Sequence, residues 1–146
     1  MNSKKITQAG MIAAVYYVLC VFLAPICYGG VQCRLSEAVL LLCINNPVAI
    51  WGYAIGCFFA NLSSPLGVID MILGPALNTV GGLIAYKTKS VPFILGFVPV
   101  LYGVFIGIEI ATVFGAPFFV TAVSVAVGEF VALAVGCVLT RIAKRK

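Results

Sequence analysis

Apolar residues run along this chain in blocks that short polar breaks separate. The blocks fall at 6–27, 35–45, 47–63, 68–86, 91–113 and 117–141. A helix needs about 20 consecutive apolar residues to cross a hydrocarbon core of about 30 Å, and most of these blocks are that long. The ambiguous case is 35–63, which reads as one helix or as two. A single helix there would rise about 43 Å at ~1.5 Å per residue, well beyond the core. Asn45-Asn46-Pro47 is also a strong helix-breaking run. Two helices are therefore predicted, the first short and either tilted or partly interfacial. The pattern predicts an all-α membrane protein, a compact bundle of six transmembrane helices forming a single domain over 1–146.

Composition agrees with that pattern. Hydrophobic residues make up 63% of the chain and charged ones only 9%, with no histidine. A soluble domain carries about 25% charged residues, so the surplus apolar surface must face lipid. Lys4 and Lys5 ahead of an apolar block imitate a secretory signal. That block runs to about Pro25, exceeds the roughly 7–15 residues of a signal core, and lacks a small-x-small cleavage site. It is read as the first membrane helix.

Charge gives a weaker check. With six spans and both termini cytoplasmic, Lys4, Lys5, Lys87, Lys89, Arg141, Lys144, Arg145 and Lys146 all lie inside, and Arg34 alone lies outside. A five-span alternative moves Lys4 and Lys5 out and Arg34 in, so helix length decides between the two. The six cysteines sit mostly inside apolar runs with no CxxC pair, and read as small buried hydrophobes. Only Cys27 and Cys33, near one loop, are placed to meet.

Small residues recur at helical spacing in Gly52, Gly56 and Ala60, in Gly128, Ala132 and Gly136, and in Gly103 and Gly107. Such stripes let helix backbones approach closely in lipid, and predict packing within the bundle. Ala9 and Ala13, beside Gly10 and Ala14, make another small face on the first helix, with packing inside the chain again the simplest reading.

The four acidic residues are Glu37, Asp70, Glu109 and Glu129. Glu37 and Asp70 begin the second and fourth helices, Glu109 lies about a turn before the outer end of the fifth, and Glu129 is deeper in the sixth. A charged side chain at the bilayer centre costs about 2.5–3.5 kcal/mol on insertion scales, so each should be paired, protonated or beside water. Helix dipoles alone would favour Glu37 and Asp70 where they stand, with Arg34 three residues before Glu37. Asp70, Gly74 and Asn78 form one stripe that opens space beside Pro75, and Tyr102 shares a face with Glu109. An outward-facing polar cavity is predicted, suited to a small flat solute with N–H donors or a positive charge.

Absences exclude other classes. There is no P-loop for ATP hydrolysis, no HExxH, no metal-spaced Cys/His cluster and no aspartate-rich pair for prenyl-phosphate chemistry. Neither a cofactor nor a metal is expected, and the chain is not read as an enzyme. Asn61-Leu62-Ser63 fits a glycosylation sequon by coincidence at a helix end. The basic tail "TRIAKRK" reads as an anchor at lipid headgroups, not a nucleic-acid patch.

Three stretches, "VQCRLSEAVLLL", "GCFFANLSSPLGVIDMILGPALNT" and "VGEF", resemble the QueT family of carriers for queuosine precursors. The likeness covers nearly the whole chain in order and spacing, and the cysteine in "QCR" departs from it. These carriers are substrate-binding subunits, or S-components, of energy-coupling-factor (ECF) importers. The resemblance implies a six-helix bundle that binds one micronutrient at its outer side and works with a transmembrane coupling subunit and two ATPase subunits. It implies a deazaguanine ligand and a small-residue docking face on the first helix, matched by Ala9 and Ala13. On this reading Glu37 is the ligand-binding carboxylate and Arg34 its orienting partner, with Glu109, Glu129, Asp70, Asn78 and Tyr102 completing the site. Rival readings are an S-component for another vitamin or an amino acid, a self-sufficient proton-coupled carrier using Glu109 and Glu129, and a membrane redox enzyme using the cysteines.

Overall fold

The computed structural model describes residues 2–27 and 34–144, and these are helical with short connections. In chain order the elements are α1 (Ser3–Phe22), the single turn α2 (Ala24–Cys27), a 3₁₀ helix (Leu35–Ile44), α3 (Pro47–Asn61), α4 (Val68–Thr88), α5 (Val91–Phe114) and α6 (Phe118–Lys144). By length and composition Ser3–Phe22, Val68–Thr88, Val91–Phe114 and Phe118–Ile142 can each cross a membrane, while Leu35–Ile44 and Pro47–Asn61 are shorter apolar helices.

The chain divides the ambiguous segment at Asn45 and Asn46. The Asn46 side chain accepts a hydrogen bond from the Val48 amide at 3.1 Å, with Pro47 in the first turn of α3. Proline's missing N–H is harmless there and its fixed φ starts the new helix. The segment before the break is wound as 3₁₀, which rises about 2.0 Å per residue where an α-helix rises about 1.5 Å. Its 10 residues thus extend about 20 Å, a third further than the same residues would reach as an α-helix. Three residues per turn also stack Glu37, Leu40 and Cys43 on one line, and all three are buried.

Close backbone approach sets the packing. A Cβ added at Gly52 would stand 2.6 Å from the Ala9 carbonyl oxygen, and one at Gly56 would stand 2.9 Å from that of Ala13. On the other side of the bundle a Cβ at Gly107 would lie 2.9 Å from the Ala122 Cα, and one at Gly136 2.8 Å from the Ala38 carbonyl oxygen. The glycine stripes are therefore seams of α1 with α3, α5 with α6, and α6 with the 3₁₀ helix, which is the packing expected of them. The 3₁₀ helix lies at the centre, against α1, α3, α4 and α6.

Outside these seams the surface is apolar. Phe22, Trp51, Ile72, Phe119 and Val120 all point outward and are more than half exposed, as a surface in contact with acyl chains requires. Cys20, Cys27, Cys43 and Cys57 are buried thiols and Cys137 is half-buried. Cys33 lies outside the described residues, so the expected meeting of Cys27 and Cys33 does too.

Candidate functional site

Helical spacing carries the polar residues inward. On α1 the buried positions Ala9, Ala13, Tyr16 and Cys20 form one stripe. On α3, Tyr53, Cys57 and Asn61 do the same at intervals of four, and on α4 Asp70, Gly74 and Asn78 share a face. All the polar and charged residues named below, Ser64 apart, are almost wholly buried.

Asp70 organises the first cluster. The Arg34 guanidinium donates to its Oδ2 at 2.8 Å and the Ser64 hydroxyl to the same oxygen at 2.5 Å. The Asn61 amide donates to Oδ1 at 3.0 Å and to the Asp70 main-chain carbonyl at 2.8 Å. Both carboxylate oxygens are thus engaged, and the charge is neutralised by a partner 36 positions away. Spacing sets Arg34 beside Glu37, but its direct ion pair is with Asp70, and Glu37 lies within its electrostatic reach. Arg34 caps the 3₁₀ helix with φ −85° and ψ 86°, outside helical geometry, so a separation of three does not place its side chain over Glu37. Gly74 itself is closely packed, because a Cβ there would run into the Asn61 amide and would lie 3.1 Å from the Cys57 sulfur.

Glu37 organises the second. Tyr16 donates to its Oε1 at 2.5 Å and Tyr53 donates to its Oε2. The Asn78 amide donates to the Tyr16 oxygen at 3.4 Å, and Tyr102 donates to the Leu77 carbonyl at 3.0 Å. A phenol carries one proton, so the Tyr53 and Tyr102 oxygens, 3.4 Å apart, sit in contact with both protons directed elsewhere. All three phenol protons in this ring are committed, with Tyr16 and Tyr53 packed edge to face at 5.5 Å. Tyr102 therefore belongs with Glu37, although its expected partner Glu109 occupies the same face of α5.

Glu109 and Glu129 differ from the other two acids. Glu109 is 3% exposed and neither carboxyl oxygen has a hydrogen-bond partner; Glu129 is 1% exposed and its Oε2 has none. Glu109 lies within electrostatic reach of Arg34 and Asp70, and Glu129 within reach of Glu37 and Tyr102. Buried polar atoms are ordinarily paired, and an unpaired one costs about 1–3 kcal/mol, more when charged. Both oxygens of Glu109 and the Oε2 of Glu129 are thus buried acceptors without donors, beside two clusters whose own carboxylates are engaged.

The family profile described as QueT transporter matches residues 6–145, nearly the whole length. The chain belongs to the QueT transporter family. No curated protein and no solved structure matches it. Membership makes it a transporter of a small molecule and not an enzyme, and with its long apolar helices it is a multi-pass membrane protein.

On the first helix the small residues Ala9 and Ala13 pack inward, and Ala13 also reaches the edge of an outer groove with Gly10 and Ala14. Ala9 and Ala13 are buried against α3 at 4% and 9% exposure, because Gly52 and Gly56 admit their backbones. Their neighbours Gly10 and Ala14 face outward, and a Cβ at Gly10 would touch nothing within 4 Å. Sequence reasoning also missed Tyr16, Tyr53, Asn61 and Ser64. Tyr16 continues the small stripe of Ala9 and Ala13 by one turn, which was its available signal. Asn61 and Ser64 lie in the "ANLSSPLGVID" block, where the apparent sequon hid a residue that holds Asp70.

Proposed function

We propose that the chain is the substrate-binding subunit of an ECF-type importer in a bacterial cytoplasmic membrane, taking up a deazaguanine precursor of queuosine. In this reading the six helices all span, both termini are cytoplasmic, and the Arg34–Asp70 end opens outward. A coupling subunit and two ATPase subunits supply the energy. The observation that carries the site is the pair Glu109 and Glu129, buried with both oxygens of the first and Oε2 of the second beyond any protein donor. A guanine-like edge offers paired N–H donors and an aminomethyl arm adds an ammonium, both of which carboxylates accept with charge-assisted bonds. Arg34, Asp70, Glu37, Asn78 and Tyr102 hold the walls of that site.

The test is thermal stabilisation of the purified, detergent-solubilised chain by aminomethyl and cyano deazaguanines, queuine, guanine, tryptophan and riboflavin. A ligand selective for the folded state stabilises by RT ln(1 + [L]/Kd), about 2.7 kcal/mol at a hundredfold excess over Kd. A shift confined to the deazaguanines is expected. A shift with tryptophan or riboflavin alone would keep the S-component and discard the substrate. The same orphaned acids also suit a proton-coupled carrier. Silence across the panel, with uptake into liposomes by this chain alone under a pH gradient, would replace the ECF reading.

Docking of the coupling subunit falls, in this reading, on the apolar groove between α1 and α3, about 520 Å³, whose lining includes Gly10, Ala13, Ala14, Tyr17, Ile55 and Phe59. Gly10→Trp should abolish ATP-driven uptake by the reconstituted complex and leave the ligand shift of the isolated subunit unchanged, since the side chain leaves the backbone into open space. Loss of the ligand shift as well would make Gly10 a packing position.

A further inference from the structure

At the end of the bundle away from the acids, a cleft of about 440 Å³ opens between the 3₁₀ helix, the α4–α5 turn and α6. Its floor is apolar, with Leu41 and Ile44, and its polar groups are Asn45, Lys89, Thr140 and Arg141. Two cations line it and no acid does. A second cleft of about 270 Å³ runs on from it, sharing Leu42 and Thr140 and walled by Val15 and Leu19 of α1 and Leu139 of α6. The floor there is Ala38 and Val39, and the lining is almost entirely hydrocarbon. The seam exists because α1 and α6 each pack on the short 3₁₀ helix and not along each other.

The backbone at Lys89 adds an independent sign. Helix α4 ends on Lys89 with φ 51°, a left-handed position that glycine usually fills, and α5 ends on Gly115 with φ 65° in that usual way. A lysine held in strained backbone at the mouth of a cleft points to use of its side chain. Its amine lies 5.9 Å from the Tyr86 ring centroid, held at the rim.

We infer that this seam binds one anionic phospholipid, its phosphate between Lys89 and Arg141 and one acyl chain along Leu42, Val39, Leu19 and Leu139. Charge complementarity selects the headgroup, because the cations face a lining without acids. The contiguous apolar cleft selects a lipid over a free phosphate, which would leave that hydrocarbon surface unused. Asn45 and Thr140 supply neutral hydrogen bonds to the headgroup oxygens.

The test is native mass spectrometry of the full detergent-purified chain with phosphatidylglycerol, phosphatidylcholine of identical acyl chains, and glycerol phosphate. The chain should retain phosphatidylglycerol in preference to phosphatidylcholine. Lys89→Gly with Arg141→Gln should weaken that retention about thirtyfold, the worth of two cations near an anionic headgroup. Lys89→Gly also relieves the left-handed lysine, so a folded variant is expected and its helical circular dichroism checks this. Leu42→Trp, which fills the shared wall of the two clefts, should weaken retention of both lipids. Equal retention of the two lipids by the native chain, or retention unaltered in the double variant, would overturn the headgroup assignment. Competition by glycerol phosphate as strong as by the lipid would overturn the acyl-chain part.

Discussion

Arg34→Ala is expected to destabilise the ligand-free protein by about 3–5 kcal/mol, the usual result of removing one partner from a buried ion pair. Asp70 is wholly buried, and without the guanidinium its carboxylate keeps only the Asn61 amide and the Ser64 hydroxyl. Those neutral donors satisfy its lone pairs without compensating its charge. Asp70→Asn should also destabilise, from the other side, by stranding the cation of Arg34. The double variant should lose less than the sum of the two, since residues in one network couple by about 0.5–3 kcal/mol. Denaturant or thermal unfolding in detergent measures all three. An Arg34→Ala loss within about 0.5 kcal/mol, the range of an ordinary surface substitution, would mean that water reaches the pair and that Asp70 is available to a ligand.

The bundle was legible because its signals are one-dimensional: apolar block length, the Asn45-Asn46-Pro47 break, and glycines every four residues. The division at Asn46 and the seams at Gly52, Gly56, Gly107 and Gly136 follow from those signals directly. The inward placing of all four acids was legible too, since lipid leaves them nowhere else. Their partners were not. Spacing of three assigned Arg34 to Glu37, but spacing predicts contact only inside a regular helix, and Arg34 stands just outside one. Nor does sequence alone indicate a 3₁₀ helix of such length at the centre of the bundle, and that helix is what brings Glu37 to Tyr16 and Tyr53 from two other helices. Phenols in apolar runs look like aromatic packing until the structure shows what their hydroxyls meet.

Glu109→Gln and Glu129→Gln should each weaken substrate binding about tenfold to a hundredfold, the equivalent of one hydrogen bond of about 1.5–3 kcal/mol to a charged group. The same substitutions should leave the ligand-free protein as stable as the native chain or more so. Each removes an acid that is buried without a full set of donors, so the empty protein loses little hydrogen bonding with its charge. Glu37→Gln should behave in the opposite way. Its new amide would present N–H donors to a phenol that is itself donating, breaking one bond of the tyrosine ring and destabilising the protein before any ligand is added. The two patterns separate acceptors reserved for a ligand from acceptors already used by the fold, and the contrast does not depend on knowing the ligand in advance. Ligand-induced stabilisation, measured beside unfolding of the empty variants, reads both at once. Should both glutamine variants at 109 and 129 bind as the native chain does, while Glu37→Gln stays folded and loses the ligand, Glu37 would be the binding carboxylate and the tyrosines its ligand-free cover.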